Sequence, residues 1–292
     1  MILVLSKEDI PLARAEAETL MGKGELHDNI LNVPSNRIYP LAYTKEFHQL
    51  LFTCKNLKQL EEYDWKSIIK GSYRVTGKNQ KQAAAIIWHS LRKPKVDLDN
   101  PETDIHIMGT GPFFVTELIN KNTEDFNARK PHNRPSTLPI SLHPKLARCM
   151  VNLTGCREDT IYDPFCGTGG LLIEAGLSGR RCSGSDIDPI MIRRCRENLN
   201  HYLVPATLKA KDIMKTKKKY RYIVADLPYF RNTRKVQHTY SEFIQAIGDI
   251  LLKRAVITIP HTARIRTDLH ITHEFTYYIH KTLSKRILVL DK

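Results

Sequence analysis

The sequence predicts an α/β chain: a doubly wound, mostly parallel sheet in its C-terminal half, preceded by a smaller α+β region. Three observations carry this. From residue 142 onward, short apolar runs alternate with helical patterns at the spacing of successive β–α units. A Gly-rich turn sits between the first of those strands and the helix after it. Residues 120–140 are rich in Pro and Asn, which break regular structure, and they separate this half from the mixed elements before it.

Taken in order, residues 2–5 form a short apolar run that reads as a buried strand. Residues 10–20 carry the helix formers Leu12, Ala13, Ala15 and Ala17, and Gly22 and Gly24 stop the helix. Residues 30–33 and 38–42 read as strands around a Pro-Ser-Asn turn, and 50–54 as another. A second unit opens near Trp65: a basic and aromatic strand over 71–76, a helix over 80–91, and strands over 104–109 and 113–119. In the C-terminal half, helices are expected over 143–153, 170–176, 190–202 and 243–252. Strands are expected over 161–162, 181–185, 222–225 and 255–259. Two last strands, 275–280 and 287–290, would finish the sheet as an antiparallel hairpin. The resulting boundaries are 1–60, 61–118, a linker over 119–136, and 137–292.

An apolar fraction of 41% over 292 residues supports real cores, so wholesale disorder is excluded. Lys and Arg total 45 against 31 Asp and Glu, a net charge of +14. A polyanionic partner accounts for that excess, because each neutralised phosphate releases condensed counterions. Cys54, Cys149, Cys156, Cys166, Cys182 and Cys195 include no C-x-x-C pair, and no His pair completes a zinc pattern, so no metal site is expected. The cysteines read as reduced thiols. The N-terminal apolar run is too short for a signal peptide, and no window resembles a membrane span, so a cytoplasmic protein is expected.

The densest signal is Asp163, Pro164, Phe165, Cys166, Gly167, Thr168, Gly169 and Gly170, between a predicted strand and helix. Glycines there let the backbone turn tightly and approach a ligand. A P-loop would need a Lys after the glycines, and a dinucleotide fingerprint a third Gly where Leu172 stands. S-adenosylmethionine remains. Asp186 falls at the predicted end of the next strand, where a carboxylate accepts ribose hydroxyls. Asp212 falls at the expected end of a third strand, where an acid accepts from an adenine amino group, with Ile187 and Ile213 packing the ring. Each acid taken alone also reads as an ordinary helix N-cap. Three in succession at strand ends favour the cofactor.

Residues 223–229 form an apolar strand ending in Asp226, Leu227, Pro228 and Tyr229. The lone pair of an exocyclic amino group is delocalised into its base. A carboxylate such as Asp226 and a nearby carbonyl can accept its hydrogens and aim a pyramidal nitrogen at a methyl donor. Pro228 stiffens the turn, and Tyr229 offers a ring on which an extruded base stacks. Asp-x-Pro is also a common strand exit. No Cys lies in 226–236 to serve a carbon-methylating enzyme.

At this point the residues resemble a family. Residues 163–176 are similar to the motif of archaeal tRNA guanosine N2-methyltransferases that carry a THUMP domain. Residues 134–153 resemble the helix preceding that motif, and 280–289 the family's closing hairpin. Residues 61–115 resemble a THUMP RNA-binding domain and 1–60 the ferredoxin-like domain before it. The resemblance implies a Rossmann-like class I methyltransferase domain behind a ferredoxin-like plus THUMP region. It implies S-adenosylmethionine at Asp163, Gly167, Asp186 and Asp212, and N2-methylguanosine or its dimethyl form in tRNA. The nearest branch modifies position 10 and a sister branch position 6. It also implies a monomer, with a small zinc-binding activator as a partner used by eukaryotic relatives. Leu227 stands where the family has Pro, and Phe230 where it has Gly. An x-Leu-Pro-Tyr version also serves rRNA adenine dimethyltransferases, so N6-adenine methylation of rRNA or other structured RNA is the second reading.

RNA contacts are expected from three places. Residues 209–235 hold ten basic residues against two acids; Lys217, Lys218, Arg231, Arg234 and Lys235 are the candidates there. The linker offers Arg129, Lys130 and Arg134. The THUMP-like region offers Arg74 and Lys78. A solvated Lys-rich loop is the plainer reading of such a run.

Overall fold

The computed structural model describes residues 1–138, 141–228, 239–280 and 283–292. The chain divides into two compact units: Met1–Tyr39 with Tyr43–Thr123, and Pro40–Ala42 with Glu124–Lys292.

The first unit contains β1 (Ile2–Leu5), α1 (Ile10–Met21), β2 (Glu25–His27), β3 (Ile30–Asn32), β4 (Thr44–Cys54), α2 (Trp65–Ile68), β5 (Ser72–Gly77), α3 (Gln80–Ser90), β6 (Lys95–Val96), β7 (Thr103–Met108) and β8 (Phe113–Lys121). All eight strands join one sheet in the order β2-β3-β1-β4-β8-β7-β5-β6. Strands from 1–60 and from 61–118 are therefore hydrogen-bonded neighbours, through the antiparallel β4–β8 pair. Asp9 caps α1 by accepting from the Leu12 amide at 3.0 Å, and Pro11 occupies the first turn, where its missing N–H costs nothing. Trp65, Tyr73, Ile87, Ile105 and Val115 form a core under α3. Residues 38–42 are not the strand expected from their apolar pattern. Pro40 has no N–H for a ladder, and its carbonyl instead accepts from Asn152 Nδ2 at 3.1 Å in the second unit, to which Pro40–Ala42 belong.

The second unit contains α4 (Pro144–Leu153), β9 (Thr160–Asp163), α5 (Gly170–Leu177), β10 (Arg181–Asp186), α6 (Pro189–His201), β11 (Ala206–Ala210), β12 (Tyr220–Asp226), α7 (Tyr240–Ile250), β13 (Leu251–Pro260), β14 (His270–His280) and β15 (Leu283–Asp291). Its sheet runs β11-β10-β9-β12-β13-β15-β14. β9 to β13 pair in parallel, and β15 inserts antiparallel between β13 and β14. The chain reverses its winding between β9 and β12. In an open α/β sheet, that switch point is where a crevice opens at the carboxyl ends of the strands. Ile223, Ala225, Ile247, Ile257 and Leu288 pack one core. Behind the Gly-rich turn, the fully buried Arg148 of α4 pairs with the fully buried Glu174 of α5 at 2.9 Å. The hydroxyl of Thr239 and the carboxylate of Glu242 cap the start of α7 reciprocally. All six cysteines are buried and unbridged. Among the described residues, no helix is long and apolar enough to cross a membrane.

Candidate active site

The Gly-rich turn is built from β9 outward. Asp163, almost fully buried, accepts the Phe165 amide on Oδ1 at 3.0 Å. The Cys166 amide donates to the Ser185 carbonyl at 2.9 Å, tying the turn to β10. Gly169 has φ 88°, and a Cβ there would lie 2.9 Å from Cys195 Sγ, so both conformation and space require glycine. Asn198 of α6 is fully buried and donates to the carbonyls of Thr168 at 2.8 Å and Ser136 at 2.7 Å.

Asp186 ends β10. Its Oδ2 accepts the Gly167 amide at 2.9 Å and its Oδ1 the Asp188 amide at 3.0 Å. The carboxylate thus joins the loops after two adjacent strands, and each oxygen keeps a second lone pair. Burial raises the Asp186 carboxyl above its usual range, against the pull of the amides. Burial raises Asp163 further, and the charges of Asp186 and Asp226 push the same way. Asp212, after β11, caps the next turn through the Met214 amide at 2.9 Å. Capping and cavity lining therefore coexist in one residue. Ile213 is buried and Ile187 is exposed at the rim.

Asp226 ends β12 opposite Thr258 of β13. Its Oδ1 accepts from the Thr258 hydroxyl and, at 2.5 Å, from Lys285 Nζ. The Leu227 amide donates to the Thr258 carbonyl at 3.1 Å, a bond that proline cannot make, and its side chain is buried in the core. The Pro228 carbonyl accepts from Tyr240 Oη at 3.1 Å. A cavity of about 950 Å³ opens over these strand ends; Asp163, Gly167, Asp186, Asp212 and Asp226 all line it. Pro164, Phe165, Ile187, Ile213 and Pro228 line it too, with Phe165 set edge-on against Phe243 at 5.1 Å.

Tyr229, Arg231, Arg234 and Lys235 lie outside the described residues. Lys217 and Lys218 are exposed, Lys130 is half-buried, and Lys78 is exposed just beyond β5. The linker reading needs correction for two residues. Arg134 is only 4% exposed, and its Nε donates to the Arg129 carbonyl at 3.0 Å. Arg129 is held by Glu174 at 2.8 Å and Glu124 at 2.7 Å. Both guanidiniums brace the wall behind the Gly-rich turn instead of facing phosphate. Arg74 is similarly engaged, by Asp104 at 2.5 Å and the Leu98 carbonyl at 2.7 Å. Sequence reasoning missed Lys285, Thr258 and Asn198. The one available signal was Lys285 standing in period-two register with the inward Ile287 and Val289.

Residues 131–270 match the family described as RMKL-like, methyltransferase domain. Three curated proteins, each named tRNA (guanine(10)-N2)-dimethyltransferase, are similar over much of the chain. That of Methanothermobacter thermautotrophicus is 35% identical over 80% of this chain and 76% of its own. That of Pyrococcus abyssi is 30% identical over 78% and 76%. That of Methanocaldococcus jannaschii is 32% identical over 68% and 60%.

Proposed function

The chain belongs to the tRNA (guanine(10)-N2)-dimethyltransferase family, and from that premise we propose that it transfers methyl groups from S-adenosylmethionine to N2 of guanosine 10 in tRNA. The single observation that carries this is the convergence of Asp163, Asp186, Asp212 and Asp226 on one cavity at the carboxyl ends of neighbouring parallel strands.

The residues present fit the cofactor. Asp186 has spare lone pairs for the ribose hydroxyls, and Asp212 for an adenine amino group, with Ile187 and Ile213 on either side. Beyond its own chain neighbours, the nearest heavy atom to where a Cβ at Gly167 would stand is the Phe165 carbonyl oxygen at 3.9 Å, so its backbone is open to close approach. When bound, the cofactor supplies an electrophilic methyl group on a sulfonium. Asp163, whose carboxyl burial pushes well above the usual range, shapes the turn by accepting the Phe165 amide. Asp226 accepts a hydrogen of the target amino group and localises the nitrogen lone pair. The 226–228 turn, stiffened by Pro228, supplies a carbonyl for the other hydrogen. Tyr229 would stack on the base.

The exposed Lys217 and Lys218, with Lys130, Arg231, Arg234 and Lys235, are the phosphate contacts on this reading. Residues 1–60 and 61–118 serve as the ferredoxin-like and THUMP-like tRNA-holding region, with Lys78 on its surface. The enzyme works in the cytoplasm as a monomer, and a small zinc-binding activator is the further partner the reading allows. The test is to incubate the protein with unmodified tRNA and cofactor and identify the nucleosides by mass. N2-methylguanosine or its dimethyl form is expected, absent with Asp226→Ala. N6-methyladenosine instead would establish the adenine reading.

A further inference from the structure

We infer that Lys285, together with Thr258, is a positioning residue that fixes the Asp226 carboxylate with one oxygen occupied and the other left for the target amino group. The inference rests on the reaction proposed above for this site. Lys285 is 3% exposed, in a strand whose neighbouring inward positions are Ile287 and Val289. A lysine buried among aliphatic side chains is costly unless its charge is met. Its ammonium meets Asp226 Oδ1 at 2.5 Å. Thr258, itself fully buried, donates to the same oxygen. Among the described residues, Oδ2 accepts no hydrogen bond.

This arrangement does something an isolated carboxylate cannot. The Asp χ2 torsion is broad and nearly two-fold, so an untethered carboxylate exchanges its oxygens freely. Two donors from two different strands, β13 and β15, landing on one oxygen remove that freedom. One of them is charge-assisted. Here the carboxylate stays 21% exposed on its side chain and lines the cavity, while only the lysine is enclosed. The asymmetry makes the closing hairpin part of the active site.

The test compares wild type, Lys285→Met, Lys285→Arg and Thr258→Val. Lys285→Met should lower the single-turnover methylation rate by about 10²-fold, the lower end of the loss seen for positioned hydrogen-bond donors. Cofactor affinity by calorimetry should stay within about two-fold, as expected when only a transition-state interaction is lost. Lys285→Arg should recover most of the rate. In an Asp226→Asn background, Lys285→Met should cost less than about three-fold, because residues acting as one unit are not additive. Crystal structures should show the Asp226 carboxylate turned in Lys285→Met. If that variant does not fold, Thr258→Val carries the same comparison, with a smaller loss and intact cofactor binding. A full wild-type rate in Lys285→Met, an equal loss in the Asp226→Asn background, or an unturned carboxylate would overturn the inference. If wild type makes no N2-methylguanosine, the proposed reaction fails while the crystallographic comparison still decides the role of Lys285.

Discussion

At the scale of single residues, the site separates groups that touch substrate from groups that hold them. Asp226→Ala should reduce methyl transfer by about 10²-fold or more while leaving cofactor affinity nearly unchanged, measured by single-turnover kinetics and calorimetry. Leu227 gives a less intuitive prediction. Leu227→Pro installs the residue that the family resemblance leads one to expect there, yet it removes the donor to the Thr258 carbonyl and a buried side chain. It should lower stability by about 1–3 kcal/mol in denaturant titrations. The acids at the strand ends were legible in sequence because three of them recur at successive β–α spacings, although each alone also reads as a helix N-cap, and Asp212 does cap its turn. Lys285 was not legible. Its meeting with Asp226 depends on the β13–β15 register and the parallel β12–β13 pairing, which span 59 residues of chain separation.

At the scale of elements, charge counting misplaced the linker arginines. A count of basic residues cannot distinguish an exposed guanidinium from one that braces α5. Arg134→Ala should therefore destabilise the protein, with tRNA affinity changed less than about two-fold once folded; a large loss of affinity at unchanged stability would restore the phosphate-contact reading. β4 was read as starting at residue 50 because its first buried positions include the polar Thr44 and His48, which hide the alternation. His48 brings a pH dependence with it. It is fully buried beside His106, Glu46 and Asp104, with Lys121 on Glu46 and Arg74 on Asp104. Burial, then the charge of His106, lowers its pKa from 6.5 to about 4. A depressed histidine lets the unfolded chain bind the proton first. Stability should thus fall as pH drops from 6.5 toward 4, by up to about 3 kcal/mol. His48→Gln should flatten that slope in denaturant midpoints measured across the window, and an unchanged slope would place its origin elsewhere. Polar atoms of Glu46, His48 and His106 come within 4.8 Å of one another although no sequence spacing joins them, because β4 and β7 both pair with β8 and their side chains meet across it.

At the scale of the whole molecule, the fold class and the winding of the second unit followed from the alternation of apolar runs and helices. The insertion of β15 between β13 and β14 needed the structure, since a hairpin can join a sheet by either strand. The net charge of +14 predicts binding that weakens steeply with salt. Reversing Lys217 and Lys218 to Glu should weaken tRNA binding across sequences and flatten the salt slope by about two. An unchanged slope would mark them as solvated lysines. The central claim is the identity of the target atom. It is tested most directly with two matched tRNA transcripts, guanosine or adenosine at position 10, each incubated with the enzyme and S-adenosylmethionine before nucleoside mass analysis. N2-methylated guanosine in the first transcript and none in the second is the predicted result. N6-methyladenosine in either, or equal N2-methylguanosine in both, would contradict it.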